Sequence, residues 1–152
     1  MTDSVTVRID APVDEVWALI TDISRIGEFS PETFEAEWLR GATGPELGAR
    51  FRGHVKRNKK GPTYWAVCEV TELEEQQRFG FAVLMGDKHV NNWRYRLSAE
   101  GDATVVTESF WLSPTLTNRI YWTALGRWRN ETNRRGMQQT LERMKAVLES
   151  TG

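Results

Sequence analysis

The apolar positions in the last third of the chain recur with the period of a helix. From about Leu116 to Ser150 they return every three or four residues, which predicts one long amphipathic helix. Its apolar face holds Ile120, Ala124, Trp128, Met137, Leu141, Met144 and Leu148. Gly136 costs a helix about 1 kcal/mol relative to alanine. We therefore expect Gly136 at the point where the helix and sheet backbones approach most closely.

A period of two dominates the middle of the chain and predicts strands. Ser4 to Asp10 alternates, and six further alternating runs separated by short turns lie between Phe34 and Leu112. Between the first strand and these six, apolar residues at helical spacing predict a helix, followed by a short helical turn from Arg25 to Phe29. The order predicts an α+β fold, in which a curved antiparallel sheet of seven strands surrounds the long C-terminal helix.

Composition narrows the class of protein without naming its function. The 152 residues predict a single domain, and 20 basic against 21 acidic residues leave a net charge of −1. This balance does not favour nucleic acid as a partner. One cysteine, Cys68, excludes an internal disulfide, and no stretch has the character of a leader or a membrane span. We expect a cytoplasmic protein, and the oligomeric state stays open.

Several stretches, taken in order, resemble one superfamily. They are VTVRIDAPVDEVWALITDI, FSPE, NNWRYRL, TVVTES and GMQQTLERMKAVLE. The chain resembles the START-like (SRPBCC) superfamily, with its birch-pollen-allergen-like helix-grip fold, and most of all the polyketide cyclase/dehydrase group. The resemblance implies a hydrophobic cavity between the sheet and the C-terminal helix, within one ligand-binding domain over residues 1–152. It implies less about chemistry, because a fold of this kind hosts carriers, receptors and enzymes.

Aromatic residues are the strongest signal for a ligand. The chain has seven Trp, six Phe and three Tyr residues. Strand parity or helical phase turns many of them inward, where they predict an apolar pocket suited to a hydrophobic small molecule. The candidate ligand-binding residues are Phe34, Trp38, Phe51, Phe81, Asn91, Trp93, Tyr95, Phe110, Tyr121 and Trp128. We expect Tyr121 and Trp128 to lie on the part of the helix that covers the pocket.

Glu108 is the first candidate for catalysis. If Trp93 pairs with Glu108 across the hairpin at Gly101, Tyr95 pairs with Val106, and Glu108 faces the cavity. A carboxyl group buried among aromatic rings has a raised pKa and can act as a general acid or base. A register slip of one residue instead places Glu108 in water, because neighbouring residues of a strand face opposite sides. Both registers remain open from the sequence.

The two histidines have different expected positions. His89 shares the parity of Asn91 and Trp93, which predicts that it lies near the cavity mouth as a second candidate catalytic residue. His54 alternates with basic residues and is expected on the solvent face. Neither has a second ligand at metal-binding spacing, so we expect no metal, and no motif predicts a cofactor. Cys68 is expected to be a small buried apolar residue.

These observations leave three functions to compare. The chain can bind a hydrophobic small molecule, such as a lipid, a polyketide or an isoprenoid-like compound. Alternatively, it can act on such a molecule as a cofactor-independent cyclase or dehydratase, moving protons through Glu108 or His89. A weaker alternative is a protein-interaction or toxin-like module that uses the basic strand around Arg52 and the arginines of the helix.

Overall fold

A computed structural model describes residues 2–56, 62–113 and 134–150. Seven strands form its sheet: β1 Thr2–Ile9, β2 Thr33–Trp38, β3 Arg50–Val55, β4 Tyr64–Glu74, β5 Arg78–Met85, β6 Lys88–Glu100 and β7 Ala103–Leu112. Helix α1, Val13–Thr21, and a 3-10 helix, Ile23–Glu28, lie between β1 and β2. Residues 134–149 are also α-helical and are called α2 here.

The sheet is antiparallel, with the order β1-β7-β6-β5-β4-β3-β2. Strands β2 to β7 therefore form a meander, and β1 pairs with β7. The curved seven-stranded sheet, the C-terminal helix and the short helix after the first strand match the prediction, so the predicted fold class is confirmed. Helix α2 includes the C-terminal half of the predicted long helix, and the N-terminal half lies outside the described residues.

The core lies between the concave face of the sheet and the two helices. Helix α2 contributes an aliphatic stripe at helical spacing, made of Met137, Leu141, Met144 and Leu148, all buried. Helix α1 adds buried Val16, Leu19 and Ile20. This separation of faces follows from the sequence, because a strand buries alternate residues and a helix buries one stripe.

Polar contacts fix both ends of α2. At its start, Arg134 forms an ion pair of 2.9 Å with Asp3 of β1. At its end, Glu149 accepts a hydrogen bond of 3.0 Å from the backbone N–H of Asp10. Halfway along, the Arg143 guanidinium donates to the carbonyl oxygen of Ser30 at 3.3 Å. The helix is thus attached to both ends of β1 and to the segment before β2.

The expected close approach at Gly136 is wrong. Apart from Gly136, its two chain neighbours and the nearby backbone of α2, no heavy atom of the described residues lies within 4 Å of the position that a Cβ atom would take there. Gly136 instead borders a cavity between helix and sheet. The glycine therefore leaves room at this point, where a tight contact was expected.

Candidate functional site

A cavity of about 370 Å³ lies between the sheet and α2. Inward residues of five strands form most of its wall, since alternate residues of β3 to β7 face the helix. Aromatic rings are prominent among them: Phe51, Phe81, Trp93, Tyr95 and Phe110. The Trp93 and Phe110 rings are 4.6 Å apart, and Phe51 meets Phe81 edge to face at 5.3 Å. The wall therefore offers broad, flat apolar surface.

Glu108 brings a carboxyl group into this apolar wall. Its side chain is 3% exposed, and its Oε1 atom has no hydrogen-bond partner among the described residues. Burial raises the pKa of Glu108 to about 8, and a hydrogen bond from the Tyr95 side chain offsets part of that increase. The carboxyl group is thus mainly protonated at neutral pH.

Tyr95 stands directly opposite Glu108 on the neighbouring strand. Burial raises its pKa well above the ordinary value of 10.0, and the charge of Glu108 and the hydrogen bond to it raise it further. The phenol therefore keeps its proton and can donate to the carboxyl group. Two polar groups with titratable protons thus lie side by side in the wall of the cavity.

Glu108 faces inward, although the pairing of β6 with β7 is neither of the two registers left open by the sequence. Glu108 pairs with Tyr95, and Trp93 pairs with Phe110, so the register that pairs Trp93 with Glu108 is wrong by two residues. A shift of two keeps every side chain on its face, whereas the alternative shift of one would have exposed Glu108. The cause is the turn, in which Gly101, at φ +63°, and Asp102 form a two-residue loop.

Six of the ten predicted ligand-binding residues line the cavity. They are Phe51, Phe81, Asn91, Trp93, Tyr95 and Phe110. Trp38 faces the same side of the sheet, but it packs edge to face on Phe51, at 5.6 Å between centroids, and lies outside the lining. Tyr121 and Trp128 lie outside the described residues.

The expected position of His89 at the cavity is wrong. Its Nε2 atom lies 3.1 Å from Glu69 on the opposite face of the sheet. The reason is a bulge: Asn91 pairs with Val83 and His89 pairs with Leu84, so Val90 is an extra residue in β6. An extra residue exchanges the faces beyond it, and parity counted from Trp93 therefore fails at His89.

Phe34 is also wrongly assigned to the pocket, for the same physical reason. Thr33 pairs with Val55 and Glu35 pairs with His54, which leaves Phe34 as the extra residue of a bulge in β2. Its side chain is 47% exposed, and its ring lies 4.4 Å from the imidazole of His54 on the outer face. His54 itself is on that outer face, as expected, stacked on Trp65 at 4.2 Å.

Sequence reasoning missed part of the cavity wall. One missed group is the segment after the 3-10 helix, where Phe29, Ser30 and Thr33 border the cavity. This segment has no periodic pattern, and the FSPE stretch within it was the signal available. Tyr64 and Ala66 also line the wall. Both are at alternate positions of β4 from Cys68, so they face the same side of the sheet, and this spacing could have identified them as lining residues.

Cys68 is buried and lines the cavity. Burial raises the pKa of its thiol to about 12, so the thiolate needed for nucleophilic chemistry is scarce near neutral pH. The expectation of a small buried residue is confirmed.

The basic strand β3 is largely neutralised by acidic neighbours. Arg50 lies 3.1 Å from Glu69, and Arg52 is paired with Glu37. The Arg52 guanidinium also covers the Trp65 ring at 4.2 Å. The described part of this surface thus resembles a network of ion pairs more than a site for an acidic partner.

Two features are absent from the part of the chain that the structure describes. Within that part, no three His, Cys, Asp or Glu side chains are grouped so that they could hold a metal ion. None of the helices in ranges 2–56, 62–113 and 134–150 combines the length and apolar character needed to cross a membrane.

Comparison with known families identifies the chain. A family model described as "Polyketide cyclase / dehydrase and lipid transport" matches residues 2–149. The chain belongs to this family. No curated protein matches the sequence.

Solved structures support the same fold. A Polyketide_cyc-like protein from Corynebacterium glutamicum is 29% identical, with a TM-score of 0.67 over 97% of this chain and 91% of that one. A START superfamily protein from Mycobacterium smegmatis is 15% identical, with a TM-score of 0.67 over 99% of both chains. An AHSA1-like protein from Aeromonas hydrophila is 18% identical, with a TM-score of 0.68 over 100% of this chain and 94% of that one.

Proposed function

We propose that residues 1–152 form a single domain that binds a hydrophobic small molecule in the cavity between the sheet and α2. The observation that carries this proposal is the cavity of about 370 Å³, with several aromatic side chains in its wall. Pockets for small molecules typically measure about 300–1,000 Å³ and combine apolar walls with a few polar groups. A lipid, a polyketide or an isoprenoid-like compound of modest size has the required character.

Apolar contact would supply most of the affinity. Each Å² of apolar surface removed from water contributes about 25 cal/mol. Seven aromatic side chains in the wall offer broad surface for a flat ligand. Glu108 and Tyr95 would then fix its orientation, because a buried polar group left without a partner costs free energy.

The test uses Nile red, an uncharged dye whose fluorescence rises in apolar surroundings. Gly136→Leu places a side chain in the open space beside the cavity, whereas Ala146→Leu places the same side chain on the exposed side of α2. We expect Gly136→Leu to weaken dye binding about tenfold or more and Ala146→Leu to leave it unchanged. Equal binding to both variants would place the dye on the surface and contradict the proposal. Native mass spectrometry of the purified protein would show a copurified ligand directly.

A second function is favoured by the ionisation of Glu108. A general acid or base works best when its pKa is near the working pH, and the pKa of Glu108 is about 8. In a cyclase or dehydratase of this family, Glu108 would move a proton on the bound polyketide. His89 cannot join it directly, because it lies on the outer face beside Glu69.

One substitution separates the two functions. If the chain is an enzyme, Glu108→Gln abolishes turnover of a bound polyketide and keeps its affinity within about threefold, because the amide retains the shape of the carboxyl group. If the chain is a carrier, the same polyketide binds to the wild type and is recovered unchanged.

A further inference from the structure

Glu108 lines the cavity and has a hydrogen-bonding atom without a partner in the described structure. It is 3% exposed and lines the cavity, yet Oε1 has no partner among the described residues. Buried polar atoms are nearly always paired, so an unpaired one needs an explanation. A ligand atom in the cavity would provide the missing partner.

The surroundings of Glu108 restrict what that ligand atom can be. Among the described residues that line the cavity there is no Lys, Arg or His, so the wall presents no cation to a carboxylate or phosphate group. A ligand anion would also face the Glu108 carboxyl group itself. Anionic head groups, such as that of a fatty acid, are therefore disfavoured here.

An amine is also a poorer match than a neutral group. Glu108 is mainly protonated near neutral pH, so an ammonium group would first have to shift it to the charged form. Both ions would then be buried, and removing each from water costs several kcal/mol that their attraction repays only in very good geometry. A neutral oxygen avoids both costs.

We propose that the Glu108 carboxyl group donates a hydrogen bond to a carbonyl or hydroxyl oxygen of an uncharged, ring-containing ligand. This inference rests on the proposed binding function and adds the class of ligand to it. Tyr95, directly across the hairpin, keeps its phenol proton and can donate it to the carboxyl group, which leaves the acid proton for the ligand. The Trp93 and Phe110 rings, 4.6 Å apart, hold the ring system of the ligand beside it.

Four naphthalene probes of matched size test the inference. The ketone 2-acetylnaphthalene carries a carbonyl oxygen, and the hydrocarbon 2-isopropenylnaphthalene has a methylene group in its place. The acid 2-naphthoic acid carries an anion, and the amine 2-naphthylmethylamine carries a cation. Dissociation constants come from competition with Nile red, whose own constant is first measured for each variant. Two variants are compared with the wild type: Glu108→Gln, which keeps a donor N–H, and Glu108→Met, which has none.

We expect the wild type to bind the ketone, and to bind the acid and the amine at least about tenfold more weakly. Glu108→Gln should keep ketone affinity within about threefold, and Glu108→Met should lose about tenfold while binding the hydrocarbon as before. Raising the pH from about 6 to about 9.5 should weaken ketone binding to the wild type, because an ionised carboxyl group cannot donate. Binding to Glu108→Gln should not change.

The outcomes distinguish this inference from the function on which it rests. If ketone and hydrocarbon bind with equal affinity to the wild type and both variants, the cavity binds ligands but Glu108 does not select them, and the inference is wrong. If the amine binds most tightly, and more so at high pH within the range where it stays charged, an ionised Glu108 is the anchor and the inference is also wrong. If Nile red binds in the cavity and none of the probes displaces it, the inference is wrong and the proposed function stands. If Nile red itself does not bind in the cavity, the proposed function fails together with the inference.

Discussion

Glu108 couples the ionisation of one carboxyl group to the stability of the fold. Burial raises its pKa to about 8 in the folded chain, whereas the ordinary value of 4.5 applies when the chain is unfolded. Between these pH values the folded chain holds a proton that the unfolded chain has released. The contribution of this proton to the free energy of unfolding is therefore complete below about pH 4.5 and is lost as the pH rises through about 8.

Glu108→Gln should remove this pH dependence. We expect the free energy of unfolding of the variant, relative to wild type, to rise on the order of a few kcal/mol between about pH 5 and about pH 9. Urea titrations at both pH values measure it. Glu75→Gln, at an exposed position in the turn between β4 and β5, is the matched control and should show no such rise. A constant difference between Glu108→Gln and wild type would contradict the assignment.

The thiol of Cys68 should be nearly inert in the folded protein. Its pKa is raised to about 12 by burial, so the thiolate is rare at pH 8. We expect iodoacetamide to react at least about a hundredfold more slowly with the folded chain than with the chain in urea. Cys68→Ala combined with Glu75→Cys moves the thiol to an exposed turn and should remove that difference. Fast modification of native Cys68 would show that the thiol is not protected.

At the scale of elements, turns and bulges decide which residues meet. The loop of Gly101 and Asp102 sets the register that pairs Tyr95 with Glu108. The bulge at Val90 sends His89 to the outer face, where it meets Glu69. The chemistry of the cavity therefore depends on backbone features that contribute no side chain to it.

Gly101 should be required because of its positive φ, and not because an added Cβ atom would collide with neighbouring atoms. Its φ is +63°, and no described heavy atom lies within 4 Å of a Cβ built there. Gly101→Ala should lower the free energy of unfolding by about 1 kcal/mol, because alanine is strained at positive φ. Gly44 has equal space in the described structure but no positive φ, so Gly44→Ala should be close to neutral. Equal effects in thermal unfolding would contradict this explanation.

At Gly136, within α2, replacement by alanine should stabilise the fold. A methyl group would enter open space among the described residues, and alanine favours helix by up to about 1 kcal/mol. Gly136→Ala should thus raise the free energy of unfolding by about 0.5–1 kcal/mol in urea titrations. A loss of stability would mean that the space is needed or already filled.

The sequence predicted this architecture well, because its signals are periodic. Alternation identified all seven strands, and helical spacing identified α1 and the stripe of α2 that begins at Met137. The face of Glu108 stayed open, because the sequence allowed two registers that differ by one residue, and such a shift exchanges faces. Bulges defeat this method, because one extra residue reverses the parity, as at Phe34 and His89. The segment around Ser30 was not assigned to the cavity, because its apolar residues do not recur with a regular period.

At the scale of the whole molecule, filling the cavity should stabilise the fold. A ligand that binds the folded chain alone adds RT ln(1 + [L]/Kd), or about 1.4 kcal/mol at ten times Kd. For a chain of this size we expect 2-acetylnaphthalene to raise Tm by about 3–6 °C at that concentration. Gly136→Leu, with its side chain in the open space, should show a much smaller shift. A Tm that is unchanged at saturating probe would contradict ligand binding.

The pairing of β1 with β7 has a consequence for synthesis of the chain. Thr2 pairs with Trp111, so the first strand to leave the ribosome must wait for the last one. At about 5–20 residues per second, that wait lasts on the order of 5–20 s. Meanwhile Val5 and Ile9, both buried in the finished protein, have no sheet to join. We expect the nascent chain to be most prone to aggregation in this interval, and chaperones to act on its first strand.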